Sequence, residues 1–140
     1  MKVLVTGGAG FIGSHVCAQL VLEGHEVSVL DDFNDYYDPK IKRANIEALG
    51  NGVTLREGDI RNPRFVRDVV AEGKFDSIIH LAARAGVRPS VVDPMLYIET
   101  NIVGTQNLLE AAHKNGVSKF VFASSSSVYG LAKVVPFSEE

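Results

Sequence analysis

Short runs of branched apolar residues alternate along this chain with longer runs in which apolar positions recur at helical spacing. "KVLVT" (Lys2 to Thr6) is apolar at successive positions, the pattern of a strand buried on both faces, and "FIGSHVCAQLVLEG" behind it reads as a helix ended by Gly24. "EVSVLD" (Glu26 to Asp31) is a second strand, "DFNDYYDP" a loop, and "KIKRANIEAL" a second helix. "VTLREGDI" gives a third strand, followed by the helix "NPRFVRDVVAEG" with Asn62 as N-cap and Pro63 at its first position. "FDSIIHLAA" is the fourth strand. Asp93 and Pro94 open the longest helix, which runs to about Asn115 and Gly116, and "SKFVFAS" is the fifth strand. "GLAKVVPFSEE" at the end has no strong period.

Strict alternation of strands and helices requires crossover connections, which are right-handed and place helices on both faces of a parallel sheet. The expected fold is therefore α/β, a doubly wound parallel sheet with strand order 3-2-1-4-5. With 140 residues the chain fits a single domain, 1–140. Hydrophobic residues make up 46% of it, charged residues 22%, and the net charge is −3, which excludes disorder and gives no footing for nucleic acid. The scattered Lys40, Lys42, Arg43, Arg61, Arg64 and Arg67 read as solvated faces. The lone Cys17 excludes an internal disulfide and falls in an apolar helical pattern, so it is expected in the core. His15, His25, His80 and His113 lack metal-ligand spacing, and no metal site is expected. Neither a signal peptide nor a membrane-length apolar run is visible, so the expectation is a cytoplasmic protein with no membrane partner.

"TGGAGFIG" joins the first strand to the first helix. Of three glycines in such a turn, the first permits positive φ, the second lets the backbone approach a pyrophosphate, and the third lets the helix pack on the strand. The helix N-terminus then offers free N–H groups and partial positive charge. Two registers fit, GxxGxxG from Gly7 and GxGxxG from Gly8. Asp31, at the tip of the second strand, stands where an acid would hydrogen-bond the ribose of a dinucleotide. The strand–turn–helix setting with that acid is a Rossmann-type signature, and a carboxylate there favours NAD over NADP. The NTPase phosphate loop is excluded, since Ser14 occupies the place of its lysine.

"SSSS" (Ser124 to Ser127) follows the fifth strand, at the carboxyl end of the sheet where ligands of open parallel sheets bind. "TGGAGFIGSH", "GDI" (Gly58 to Ile60), "HLAA" (His80 to Ala83), "NIVGT" (Asn101 to Thr105) and "SSSSVYG" together resemble the extended short-chain dehydrogenases, the NAD-dependent nucleotide-sugar epimerases and dehydratases. With "NDYYDP", "AARAGVRPS" and "VPFSE" the chain is most similar to the UDP-glucuronate 4-epimerases.

The resemblance implies residue roles. Gly7, Gly10, Phe11, Ile12 and Gly13 would meet the pyrophosphate, Asp31 and Asn34 the adenosine ribose, and Asp59 with Ile60 the adenine. Leu81, Ala82 and Ala83 would pass the nicotinamide half, Arg84 would stand near the phosphates, and Asn101 would brace the loop beneath. Ser124 would lie against the nicotinamide, Ser125 would hydrogen-bond the reacting sugar oxygen, and Ser126 and Ser127 would contact the hexose. The implied reaction is transient oxidation at C4 of a UDP-hexuronate or UDP-hexose, rotation of the keto sugar and return of the hydride, with NAD doing the redox work.

The family's base is a tyrosine paired with lysine as YxxxK on one helix face. Tyr129 and Lys133 match that spacing, yet Gly130 and Val134 to Pro136 deny them a helix, so they are read as a decoy. The catalytic pair and the substrate domain are then expected beyond Glu140, with the chain a truncated cofactor-binding portion inactive by itself. Such a portion would leave an apolar stripe (Met95, Ile98, Ile102, Leu109) and a sheet edge uncovered, which predicts a homo-oligomer or self-association. Tyr36 and Tyr37 are open to two readings, near the sugar or on the surface. A 4,6-dehydratase remains the alternative, disfavoured because the serine run lacks an adjacent acid pair, as does a non-catalytic NAD-binding module.

Overall fold

The computed structural model describes residues 1–131 and 134–139. Five strands form one parallel sheet: β1 (Lys2–Thr6), β2 (Glu26–Asp31), β3 (Val53–Glu57), β4 (Ser77–His80) and β5 (Lys119–Phe122), in the spatial order β3-β2-β1-β4-β5. The helices are α1 (Phe11–Leu22), α2 (Pro39–Leu49), α3 (Pro63–Gly73), α4 (Val87–Val92), α5 (Pro94–Ile98) and α6 (Thr105–Lys114).

The sequence alternation sorts the core into two layers. Val3, Val5, Val27 and Val29 point to one face, where Cys17 of α1 and Ile46 and Leu49 of α2 cover them. Leu4, Leu30 and Ile78 point to the other, against Val66, Val69 and Val70 of α3 and Leu108, Ala111 and Ala112 of α6. Cys17 is fully buried, and that burial pushes its thiol up to about 12, which leaves it unreactive. Starts are set by short polar caps. The Asn62 side chain accepts from the Arg64 and Phe65 amides, and Asp93 accepts from Leu96.

Three local features differ from the sequence expectation. β3 stops at Glu57 and β4 at His80, so Gly58–Ile60 and Leu81–Ala83 leave the sheet as loops at its carboxyl edge. A short extra helix, α4, precedes Asp93. The expected single helix contains a π-helical stretch, Glu99–Gly104, between α5 and α6. Widened turns of this kind shift the register of side chains around them. Here Thr100 faces the carboxyl edge of the sheet, while the Asn101 side chain accepts from the Arg84 amide and donates to the Arg84 carbonyl. Gly104 permits the stretch to lie on Ile60, whose Cδ1 is 2.6 Å from where a Cβ would stand.

Candidate functional site

The loops after β1, β2, β3 and β4 converge where the strand order reverses between β1 and β4, and a cleft opens there. Its floor is the glycine turn. Gly7 has φ +70°, and a Cβ on it would stand 2.7 Å from the Ala82 amide nitrogen. Gly13 packs on the Gly7 carbonyl so closely that any side chain would strike backbone. These two glycines therefore hold strand, turn and helix together, and Gly10 faces the cleft. The first N–H groups of α1, from Phe11 to Gly13, have no acceptor inside the helix. The side chains of Phe11 and Ile12 themselves are exposed and lie outside the cleft lining.

Asp31 lines the cleft but is only 6% exposed. Its carboxylate accepts from the Ala9 amide (3.1 Å) in the glycine turn and from the Phe33 amide (3.0 Å) in its own loop. Burial raises its pKa, against the lowering effect of those two N–H groups and of Lys42. Asp31 is thus a strut between two loops as well as a candidate ribose ligand, since each carboxylate oxygen retains a second lone pair. Asn45 of α2 reinforces the strut by donating to the Ala9 carbonyl at 2.9 Å.

Asn34, Asp59, Ile60, Leu81, Ala82, Ala83 and Arg84 all line the same cleft. Burial raises the pKa of Asp59, but the bonds from the Arg61 guanidinium (2.8 Å) and amide (2.8 Å) outweigh it and hold the carboxyl below its usual range. Arg84 Nη2 lies 3.9 Å from Asp32.

Beneath the cleft a connected set of hydrogen bonds fixes the loop after β4. The Ala82 amide donates to Thr6 Oγ1, which lies 2.6 Å from His80 Nδ1. His80 Nε2 is 2.9 Å from Thr105 Oγ1, which donates to the Asn101 carbonyl. Because the Thr105 hydroxyl gives its proton to Asn101, His80 donates from Nε2. Burial lowers its pKa to about 4, which keeps the ring neutral and makes Nδ1 the acceptor for Thr6. His80 therefore ties β1 to α6.

Four buried side-chain polar atoms lack a partner among the described residues, and three belong to residues lining this cleft: Tyr37 Oη, Arg84 Nε and Thr100 Oγ1. Orphaned buried donors are costly, so their occurrence in three residues of one cleft fits a polar ligand such as a dinucleotide with its diphosphate.

Tyr37, Lys42 and Thr100 were not assigned to this site on sequence. Lys42 corrects a further expectation: it is not on a solvated face but 4% exposed, its Nζ donating to the Asn34 carbonyl at 3.0 Å. The signal was its register, since Lys42, Ile46 and Leu49 share one helix face and the two apolar residues pack on the core.

The serines lie elsewhere. Ser124, Ser125, Ser126 and Ser127 are exposed beyond β5 and are not part of the cleft lining, and Ser125 caps a single turn by accepting from the Ser127 amide at 3.1 Å. Tyr129 stacks on Phe137 with ring centroids 4.8 Å apart, and Lys133 falls outside the described residues. No cluster of metal-ligating side chains occurs among the described residues. Nor is any helix among them long and apolar enough to cross a membrane.

The family model described as GDP-mannose 4,6 dehydratase matches residues 4–140. The chain belongs to that family. Among its relatives, UDP-glucuronate 4-epimerase 4 of Arabidopsis thaliana is 49% identical over 142 residues, covering 100% of this chain and 32% of the relative. The chain thus spans about a third of that relative's length. Two solved family structures superpose closely. A UDP-glucose 4-epimerase from Stenotrophomonas maltophila, with bound NAD and formylated UDP-arabinopyranose, gives a TM-score of 0.87 at 36% identity, covering 99% of this chain and 41% of that one. The Bifidobacterium longum UDP-glucose 4-epimerase in complex with NAD+ and UDP gives 0.83 at 34% identity, covering 100% and 42%.

Proposed function

We propose that these 140 residues are the cofactor-binding portion of an NAD-dependent nucleotide-sugar 4-epimerase acting on a UDP-hexuronate or UDP-hexose. The observation that carries the reading is the cleft itself, lined by the glycine turn, Asp31 and three residues that each carry an orphaned polar atom. NAD, when bound, supplies reversible oxidation at C4 of the sugar. Gly7, Gly10 and the start of α1 hold its diphosphate, with Arg84 nearby. Asp31 and Asn34 take the adenosine ribose, Asp59 and Ile60 border the adenine, and Leu81 to Ala83 flank the nicotinamide half. Asn101 positions that loop through Arg84, and Thr100 joins the lining. Ser124 lies against the nicotinamide, with Ser125 on the reacting oxygen and Ser126 and Ser127 on the hexose. The protein works in the cytoplasm and self-associates through its apolar α5–α6 stripe and the uncovered edge of the sheet at β5.

A 4,6-dehydratase is the second reading, favoured by the description of the matching family model. The residues after Ser125 are Ser126, Ser127 and Val128, without an acid pair, and this keeps the epimerase first.

Calorimetric titration with NAD and NADP is the test. Binding of NAD, tighter than NADP, is expected; no heat with either overturns the cofactor assignment, and tighter NADP overturns the role of Asp31. The reading gives these residues binding without turnover, so conversion of UDP-glucuronate by this chain alone would contradict it.

A further inference from the structure

The loop between β2 and α2 carries chemistry that the glycine turn and Asp31 leave unused. Tyr37 Oη is buried without a partner and lies 3.9 Å from where a Cβ on Gly10 would stand, over the turn on which a diphosphate would rest. Burial, then the charge of Asp31, raises the Tyr37 pKa, so its hydroxyl keeps its proton and is a donor. The ring is held from below by Lys42, whose Nζ sits 5.0 Å from its centroid. Lys42 is itself fixed by the Asn34 carbonyl, and the loop around it is pinned where the Asp31 carboxylate accepts from the Phe33 amide and Asn34 Oδ1 accepts from the Tyr36 amide. Phe33 holds φ +47°, a conformation that persists only where surrounding contacts enforce it. A rigid loop thus holds a hydroxyl that has no partner among the described residues.

We propose that Tyr37 is a diphosphate ligand of the dinucleotide, donating its hydroxyl to a phosphate oxygen above Gly10, and that Lys42 is the positioning residue that sets its ring. The inference rests on the cofactor reading above, yet fails separately from it.

The test titrates the chain, Tyr37→Phe, Lys42→Met and the double variant with NAD, ADP-ribose and adenosine. Tyr37→Phe removes a hydroxyl without protein partners, so the melting temperature of the unliganded variant should be unchanged or higher. Its affinity for NAD and ADP-ribose should fall about tenfold, as for a hydrogen bond to a charged group, with adenosine unaffected. Lys42→Met should weaken the same two ligands, and less in the Tyr37→Phe background than alone. Wild-type affinity in Tyr37→Phe overturns the proposal while the cofactor reading stands. An equal loss for adenosine overturns the diphosphate assignment, and strictly additive effects overturn the positioning role of Lys42. A wild-type chain that binds none of the three removes the cofactor reading and this proposal together.

Discussion

β1 and β5 have nearly the same sequence character, "KVLVT" against "KFVF", and opposite surroundings. β1 pairs on both sides, and its residues from Val3 to Thr6 are buried. β5 pairs only with β4 among the described residues, leaving Val121 56% and Phe122 53% exposed. The loop behind β1 is bonded to its neighbours at nearly every turn, whereas the serine run behind β5 is exposed throughout. Apolar character makes a strand. Neighbours decide whether that strand builds a site or offers a surface.

The strongest way to break the contrast is at Gly7. Gly7→Ala forces an alanine into positive φ and a Cβ toward the Ala82 amide, so strain and overpacking together should cost about 4 kcal/mol in chemical denaturation and abolish NAD binding. An effect below about 1 kcal/mol would show that the turn yields.

His80 tests the network under the bonded side. Its ring is neutral when folded, with a pKa of about 4 against 6.5 for the ordinary group. Above pH 6.5 neither state is protonated and stability is complete; from 6.5 down to 4 only the unfolded chain takes up the proton. Stability should therefore fall through that window by up to about 3 kcal/mol. His80→Gln should be less stable at pH 7.5 and should lack this part of the acid slope, as urea titrations across the pH range would read. Equal slopes in both proteins would refute a buried neutral ring.

The exposed side is sharpened by charge. Phe122→Lys should shift self-association toward monomer about tenfold in light scattering while leaving the melting temperature within a few degrees, because the side chain is half exposed. Unchanged mass would place any association elsewhere. The smallest effect belongs to Ser125→Ala, expected to alter NAD affinity of this chain by less than about twofold, since the capped turn it supports is exposed and outside the cleft lining.

Much of the bonded side was legible beforehand because its signals are local. Gly7 and Gly13 announce a turn with no room for side chains, Asn62 and Pro63 announce a helix start, and apolar alternation announces strands. Tyr37 and Lys42 were less legible, since a loop tyrosine and a helix lysine are ordinary surface residues until α2 is docked. Thr100 was hidden by the π-helical stretch, a register shift that no helical periodicity encodes.

By itself the sequence determined the order of the strands, the parallel sheet and the glycine cradle, because these follow from residue-level sterics, dihedral preference and period. Only the tertiary structure decided that Asp31 is bonded to two loops, that His80 is neutral between two threonines and that Lys42 is buried. Each depends on burial and on partners brought from distant positions, as in the 74-residue separation of Thr6 and His80. Charge state and hydrogen-bond partnership are properties of an environment, and that environment exists only once the helices are laid on the sheet.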